Sequence, residues 1–271
     1  MIDNNFLDKF KKNGIIKVSN FLSEHELDKI KNIVKFYSSM KGDNKSYFIM
    51  GYKSFVVNVL KFNFNKIKNS FFLKNFAERK KINFMTNQIF KKKSYLNYID
   101  GYCSPVSDRD VISWHVDQAY KGVEKLKSGY VNPDNYFLKI FIYLTKVGPK
   151  NGCMNYIPGS HLLGYAIRKG IYEGKISYQP YWHLKDFRKI LLNKDNFNYF
   201  KNYFTNIELL DQFINETKFI DENKDTDKYD YSANPGDMII FDEGGVHRGS
   251  KTLKNERVVL RYLYSIKRSH Q

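Results

Sequence analysis

The sequence predicts an α+β fold built on an antiparallel β barrel or sandwich. Three observations predict it. The first 80 or so residues space their apolar side chains as helices do, and from about residue 83 the pattern turns to short runs separated by turn formers. A long segment, 164–233, then breaks the strand pattern with helical stretches dense in aromatics. With no internal repeat or flexible linker, we expect a single domain over 1–271, with 164–233 as an insertion or lid over the core sheet.

Composition narrows the class. The chain has 271 residues, of which 42% are hydrophobic and 17% aromatic, so a sizeable core can form from Phe and Tyr. The formal charge of +17 raises the question of an anionic partner. The lysines are scattered, however, with only short clusters at Arg79-Lys80-Lys81 and Lys91-Lys92-Lys93, whereas nucleic-acid binding requires a basic stripe on one face. Lys, Asn, Ile, Phe and Tyr are abundant together, as a coding bias would produce. Cys103 and Cys153 show no metal-binding spacing and suit a reducing compartment. The N-terminus lacks the pattern of a signal peptide, and the most apolar stretches, 56–60 and 138–144, fall far short of the roughly 20 residues that a membrane span needs. A cytoplasmic protein is expected.

Along the chain, a short amphipathic start leads to an extended run at Gly14-Ile15-Ile16-Lys17-Val18. Ser23-Glu24-His25-Glu26 reads as a capping box, opening a helix with Leu27, Ile30, Ile33, Val34 and Tyr37 on one face and Gly42 as its stop. His25, in the first turn, is a surface residue. Residues 43–65 read as irregular or short-stranded. Ile67, Phe71, Phe72, Phe76 and Ala77 predict a second helix over 66–80. Strands are expected at 83–90 and 94–99. Residues 100–110 read as a loop, from Asp100-Gly101, Ser104-Pro105 and Ser107-Asp108. The strand at 136–145 splits into Leu138, Ile140, Ile142 and Leu144 on one face and Phe137, Lys139, Phe141 and Tyr143 on the other. A turn cluster at 148–152 and a strand at 153–157 lead to Pro158-Gly159-Ser160-His161. Within 164–233, Pro180-Tyr181-Trp182-His183 faces either a pocket or the core, and 221–227 is a polar loop. Strand pattern returns after Pro235-Gly236, passes Gly244-Gly245 to His247, and ends with a strand at 257–265.

Trp114-His115-Val116-Asp117 carries the chemistry. On a strand, residues two apart share a face, so His115 and Asp117 can reach one point. Imidazole plus carboxylate suits a divalent metal such as iron, and a 2-His-1-carboxylate triad needs one more histidine. His247 follows a buried strand and is the natural third ligand. Arg257 lies ten residues on, across one tight turn, so we expect it on the neighbouring antiparallel strand, where an arginine needs an anion.

These blocks resemble, in order, the phytanoyl-CoA dioxygenase family of Fe(II)- and 2-oxoglutarate-dependent oxygenases. The opening run from Gly14 to Ser23 is similar to the family's first strand and helix entry, and Trp114-His115-Val116-Asp117 to its His-x-Asp segment. Asn151-Gly152 through Pro158-Gly159-Ser160-His161 is the most specific match, and Pro235-Gly236-Asp237 with His247 and Arg257 completes the pattern. The resemblance is thin in 40–90 and absent in 164–233. It implies a double-stranded β-helix core, jelly-roll or cupin-like, with flanking N-terminal helices and a helical insertion. It implies Fe(II) held by His115, Asp117 and His247, with 2-oxoglutarate and O2 as cosubstrates. Arg257 would bind the far carboxylate of 2-oxoglutarate, with Phe141, Thr145 and Asn97 beside it and Lys139, Tyr143 and Tyr98 as further wall candidates. The spacing from His247 to Arg257 is about one residue short for the family, which leaves Arg261 as a second candidate for the anion. His161 is taken as structural.

The implied reaction is hydroxylation of an unactivated C–H of a small molecule, anionic or carrier-linked, with release of succinate and CO2. Asp117 argues against halogenation, where a small residue replaces the carboxylate. Desaturation, cyclisation or epimerisation by the same site are alternatives, as are a basic nucleic-acid-binding protein and a metal-binding barrel without oxygenase activity. Residues 164–233 and the loop at 119–135 are expected to choose the substrate.

Overall fold

The computed structural model describes residues 4–38, 47–50, 56, 60–61, 63–117, 133, 136–223 and 226–267. Glycine opens the first strand: Gly14 (φ +74°) turns the chain from helix α1 (Asn4–Asn13) into strand β1 (Ile15–Val18). Ser23 and Glu26 then form the expected reciprocal cap, Glu26 N–H donating to Ser23 Oγ (3.3 Å) and Ser23 N–H to Glu26 Oε2 (2.9 Å), at the head of α2 (Glu24–Ser38). His25 is exposed. Asn63 caps helix α3 (Phe64–Arg79), which buries Leu73, Phe76 and Ala77 and leaves Phe71 exposed.

Two antiparallel sheets follow. With β2 (Tyr47–Met50), β3 (Tyr95–Ser104), β5 (Phe137–Tyr143), β8 (Met238–Asp242) and β10 (Arg257–Ser265), the larger sheet runs β1-β8-β5-β10-β3-β2. The smaller runs β4-β9-β6-β7, from β4 (Ser107–His115), β6 (Met154–Tyr156), β7 (Asp230–Tyr231) and β9 (His247–Thr252). Interleaving distant strands in two facing antiparallel sheets is the jelly-roll arrangement.

The alternation of β5 decides where the core lies. Leu138, Ile140, Ile142 and Leu144 pack outward on Ile30, Val34, Phe76 and their neighbours from the N-terminal helices. Phe141 and Tyr143 point inward to meet Met154 and Tyr156 of the facing sheet. Lys139 is on the same inward side, in a strand that is otherwise apolar or aromatic.

Several sequence expectations are corrected. Residues 83–90 form a helix, α4 (Ile82–Phe90), not a strand: its buried Ile82, Thr86 and Phe90 recur every four residues, a spacing that the β-branched and aromatic content obscured. Residues 100–110 are not a loop but the end of β3 and the start of β4, joined at 105–106. Asp100-Gly101 is therefore inside a strand. The glycine is there for close packing, since a Cβ on it would come within 2.8 Å of Val34 Cγ1. Arg257 is not on the strand beside His247, because 253–256 carries the chain from the smaller sheet to the larger one. The helical segment is displaced from 164–233: α5 (Ser160–Tyr172) starts within the Pro-Gly-Ser-His block, α6 (Leu184–Leu192), α7 (Lys194–Tyr203) and α8 (Glu208–Glu222) follow, and β7 already pairs with β6 at 230–231. The predicted stop at Gly42, most of 43–62 and nearly all of 119–135 lie outside the described residues.

Candidate metal centre

Strand register brings the two histidines together. His115 ends β4 and His247 opens β9, and they are direct partners across that antiparallel pair, so both side chains leave the same face of the sheet. Their ring centroids are 4.3 Å apart. Asp117 reaches them by a different route from the expected strand alternation. It lies in the turn after β4, where Val116 N–H donates to Trp182 O (3.0 Å) and Asp117 N–H to Glu243 O (3.0 Å). The carboxylate then faces both rings, with Oδ1 3.5 Å from His115 Nε2 and Oδ2 2.8 Å from His247 Nε2. One ligand atom from each of the three lies within 4.8 Å of the others.

The rings are held for ligation. His115 Nδ1–H donates to Ser113 O (2.6 Å) and His247 Nδ1–H to Gly245 O (2.9 Å), which leaves Nε2 of each ring as the nitrogen available to a metal. Burial, helped by the neighbouring His115, pushes His247 down to about 4 and keeps it neutral. Burial acts to raise Asp117, but the Lys139 ammonium and His247 outweigh it and hold the carboxyl well below its usual range. Two imidazole lone pairs and a carboxylate thus converge on one point, an arrangement that a divalent cation satisfies.

Positions 151–161 brace this geometry. Ser160 Oγ accepts from Val246 N–H (2.8 Å) and its hydroxyl donates to Ile157 O (2.6 Å), pinning the residue before His247. Asn151 Oδ1 accepts from Lys254 N–H and Asn255 N–H at 3.2 and 3.0 Å, fixing the link between β9 and β10. Gly152 (φ +74°) leaves space for Arg257, whose Cδ would be 2.9 Å from a Cβ there. His161 packs structurally, against Gly14 and with Nε2 3.2 Å from Lys11 O.

A cavity of about 210 Å³ runs from the triad along the inner faces of β3, β5 and β10, past Lys139 and Phe141 to Tyr102, Arg257 and Arg261. The two arginines differ. Arg261 sits between the rings of Tyr98 and Tyr102, 5.1 and 5.0 Å from their centroids. Both its Nε (2.6 Å) and its Nη2 donate to the Asp100 carboxylate. Arg257 is 4% exposed, and no acceptor among the described residues meets its buried Nε. Of the predicted wall residues, Phe141 and Lys139 line the cavity, and Thr145, Asn97, Tyr98 and Tyr143 do not: Thr145 Oγ1 accepts from Val258 N–H (2.9 Å), and Asn97 Nδ2–H donates to Ser265 Oγ (2.7 Å).

Sequence reasoning missed Asp100, Glu243 and the roles of Asn151 and Ser160. Asp100 was hidden by the turn-like Asp-Gly pair. Glu243 had one signal, its place beside Gly244-Gly245 just ahead of a candidate ligand histidine. Trp182, noted only as facing a pocket or the core, packs against His115 with ring centroids 4.9 Å apart. The helical segment also touches the neighbours of the triad: Val116 and Val246 belong to its apolar core with Leu163, Ile167 and Phe187.

Among known proteins, the phytanoyl-CoA dioxygenase family model matches residues 10–255. Solved structures share the fold. HygX from Streptomyces hygroscopicus, with nickel and 2-oxoglutarate bound, superposes with a TM-score of 0.58 at 12% identity, over 98% of this chain and 87% of its own. EctD from S. alaskensis, with 2-oxoglutarate and 5-hydroxyectoine, gives 0.57 at 13% identity, over 97% and 76%. The epimerase SnoN, in complex with Fe3+, alpha ketoglutarate and nogalamycin RO, gives 0.55 at 12% identity, over 96% and 82%. No curated protein matches this chain in sequence.

Proposed function

This chain belongs to the phytanoyl-CoA dioxygenase family of non-heme iron, 2-oxoglutarate-dependent oxygenases, and on that premise we propose that it hydroxylates an unactivated C–H of a small molecule. The observation that carries this reading is the convergence of His115 Nε2, His247 Nε2 and an Asp117 oxygen, with both Nδ1–H groups committed to backbone carbonyls. His115, Asp117 and His247 would hold Fe(II). Bound iron and 2-oxoglutarate supply the oxidising chemistry, with succinate and CO2 as products.

The chain's own part is to bind, orient and exclude water. Arg257 would take the far carboxylate of 2-oxoglutarate, because its guanidinium faces the cavity with Nε unmet while Arg261 is neutralised by Asp100. Phe141 forms the apolar wall beside it. Trp182 covers His115 and marks the side from which the helical segment meets the site. The third ligand is a carboxylate, which favours hydroxylation over halogenation. We read 1–271 as one catalytic unit, with the segment between β6 and β7 and residues 119–135 choosing the substrate. No helix among the described residues is long and apolar enough to cross a membrane, and Cys103 and Cys153 form no disulfide, in keeping with a cytoplasmic setting.

The test is release of succinate from 2-oxoglutarate in air with Fe(II), assayed with a panel of small-molecule candidates and in His247→Ala. The reading requires Fe(II)-dependent succinate that His247→Ala abolishes. Succinate no higher than in His247→Ala would overturn it.

A further inference from the structure

We propose that Lys139 is a positioning residue that holds Glu243 off the metal and so keeps the site at three protein ligands. The inference rests on the reading of His115, Asp117 and His247 as the metal site.

Lys139 is out of place in its strand. It sits in Phe-Leu-Lys-Ile-Phe-Ile-Tyr with its side chain 7% exposed, and a buried ammonium is costly unless it is paired. It meets two carboxylates, Asp117 Oδ2 and Glu243 Oε2, the latter at 3.3 Å. Glu243 is brought there by backbone, since its carbonyl accepts from Asp117 N–H at 3.0 Å. Its own side chain is 10% exposed. The two carboxylates therefore flank one ammonium, their nearest oxygens no more than about 6 Å apart.

A dication beside Asp117 attracts both carboxylates. Coordination arithmetic shows why the second must be kept away. A 2-His-1-carboxylate triad would hold the cation through three protein ligands and leave its remaining positions to cosubstrate and O2. A fourth protein ligand would compete with 2-oxoglutarate. Glu243 lies outside the cluster whose ligand atoms gather within 4.8 Å, and Lys139 is the cation that occupies its carboxylate. When a metal takes Asp117, Lys139 keeps Glu243 as its partner. The ammonium thus has a counterion in both states, and Glu243 stays neutralised in both.

Cobalt(II) tests this, because its visible spectrum reports ligand number without turnover. The full-length protein is titrated anaerobically with Co(II) and then with 2-oxoglutarate, and melting curves confirm that each variant is folded. Lys139→Met should bind Co(II) about tenfold more tightly, change its visible spectrum and need about tenfold more 2-oxoglutarate. The double variant Lys139→Met/Glu243→Gln should return to the wild-type spectrum. Glu243→Gln alone, which leaves no carboxylate unpaired, should keep that spectrum, and this arm stands even where Lys139→Met fails to fold. A Lys139→Met spectrum and affinity equal to wild type, a change that persists in the double variant, or a changed spectrum in Glu243→Gln would each overturn the proposal. If wild type takes up Co(II) no better than His115→Ala, it is the assignment of the metal site that fails.

Discussion

Asp100 lies directly across from Arg261 on the paired strands β3 and β10, and its carboxylate takes both donor arms of the guanidinium. Arg257, four residues earlier on the same face of β10, has no such partner for its buried Nε. Two arginines that look equivalent in sequence thus have different work. One closes a buried ion pair and the other faces the cavity with donors to spare.

Substitution should separate them. Arg257→Ala should raise the 2-oxoglutarate needed for half-saturation by about 100-fold, the loss of a charge-assisted bidentate pairing worth about 3 kcal/mol, with little change in melting temperature. Arg261→Met leaves Asp100 buried without its counterion and should cost about 3–5 kcal/mol of stability. Binding titrations and thermal melts on both variants check the split. The reverse pattern would assign the anion to Arg261.

Gly152 sets where Arg257 can go. Its φ of +74° strains any residue with a Cβ, and that Cβ would crowd Arg257 Cδ and Thr252 Cγ2, both at 2.9 Å. Gly152→Ala should therefore cost about 1–2 kcal/mol in stability and weaken 2-oxoglutarate binding beyond that. Iron binding should be spared, because the triad stands on other elements. Parallel titrations with metal and with cosubstrate distinguish the two effects.

Much of this site was legible because its chemistry is carried by residue types that have few other uses. His115, Asp117 and His247 stand out as candidate ligands and come together in the fold, and the alternation of β5 sorted Phe141 and Lys139 from Leu138 and Ile140 correctly. Register was not legible. Nothing local tells that Asp100 faces Arg261, or that the chain changes sheets between His247 and Arg257, since both depend on pairings between strands far apart in sequence. Thr145 was misplaced because its position along the cavity was not legible, and at Asn97 and Tyr98 an irregularity in the pairing of β3 with β10 hid even the strand's parity. Helix α4 was misread because β-branched and aromatic residues favour strands on average, and tertiary burial of Ile82, Thr86 and Phe90 overrode that preference.

The metal-free protein should lose stability in mild acid through His247. Its imidazole is held down to about 4 from a usual 6.5. Between those values the unfolded chain takes up a proton that the folded chain refuses, so stability falls as pH drops through that window, by about 3 kcal/mol in all. Denaturant titrations of metal-free protein from pH 7 to pH 4 should show this slope, and His247→Gln should flatten it.

The central claim is that His115, Asp117, His247 and Arg257 assemble one site for iron and 2-oxoglutarate. An anaerobic titration of metal-free protein with Fe(II) and then 2-oxoglutarate, followed by the visible metal-to-ligand charge-transfer band, tests it most directly. The account predicts a band that saturates with one equivalent of Fe(II), is lost in His115→Ala, and in Arg257→Ala appears only at much higher 2-oxoglutarate. Tight Fe(II) binding with no band at any 2-oxoglutarate concentration would contradict it.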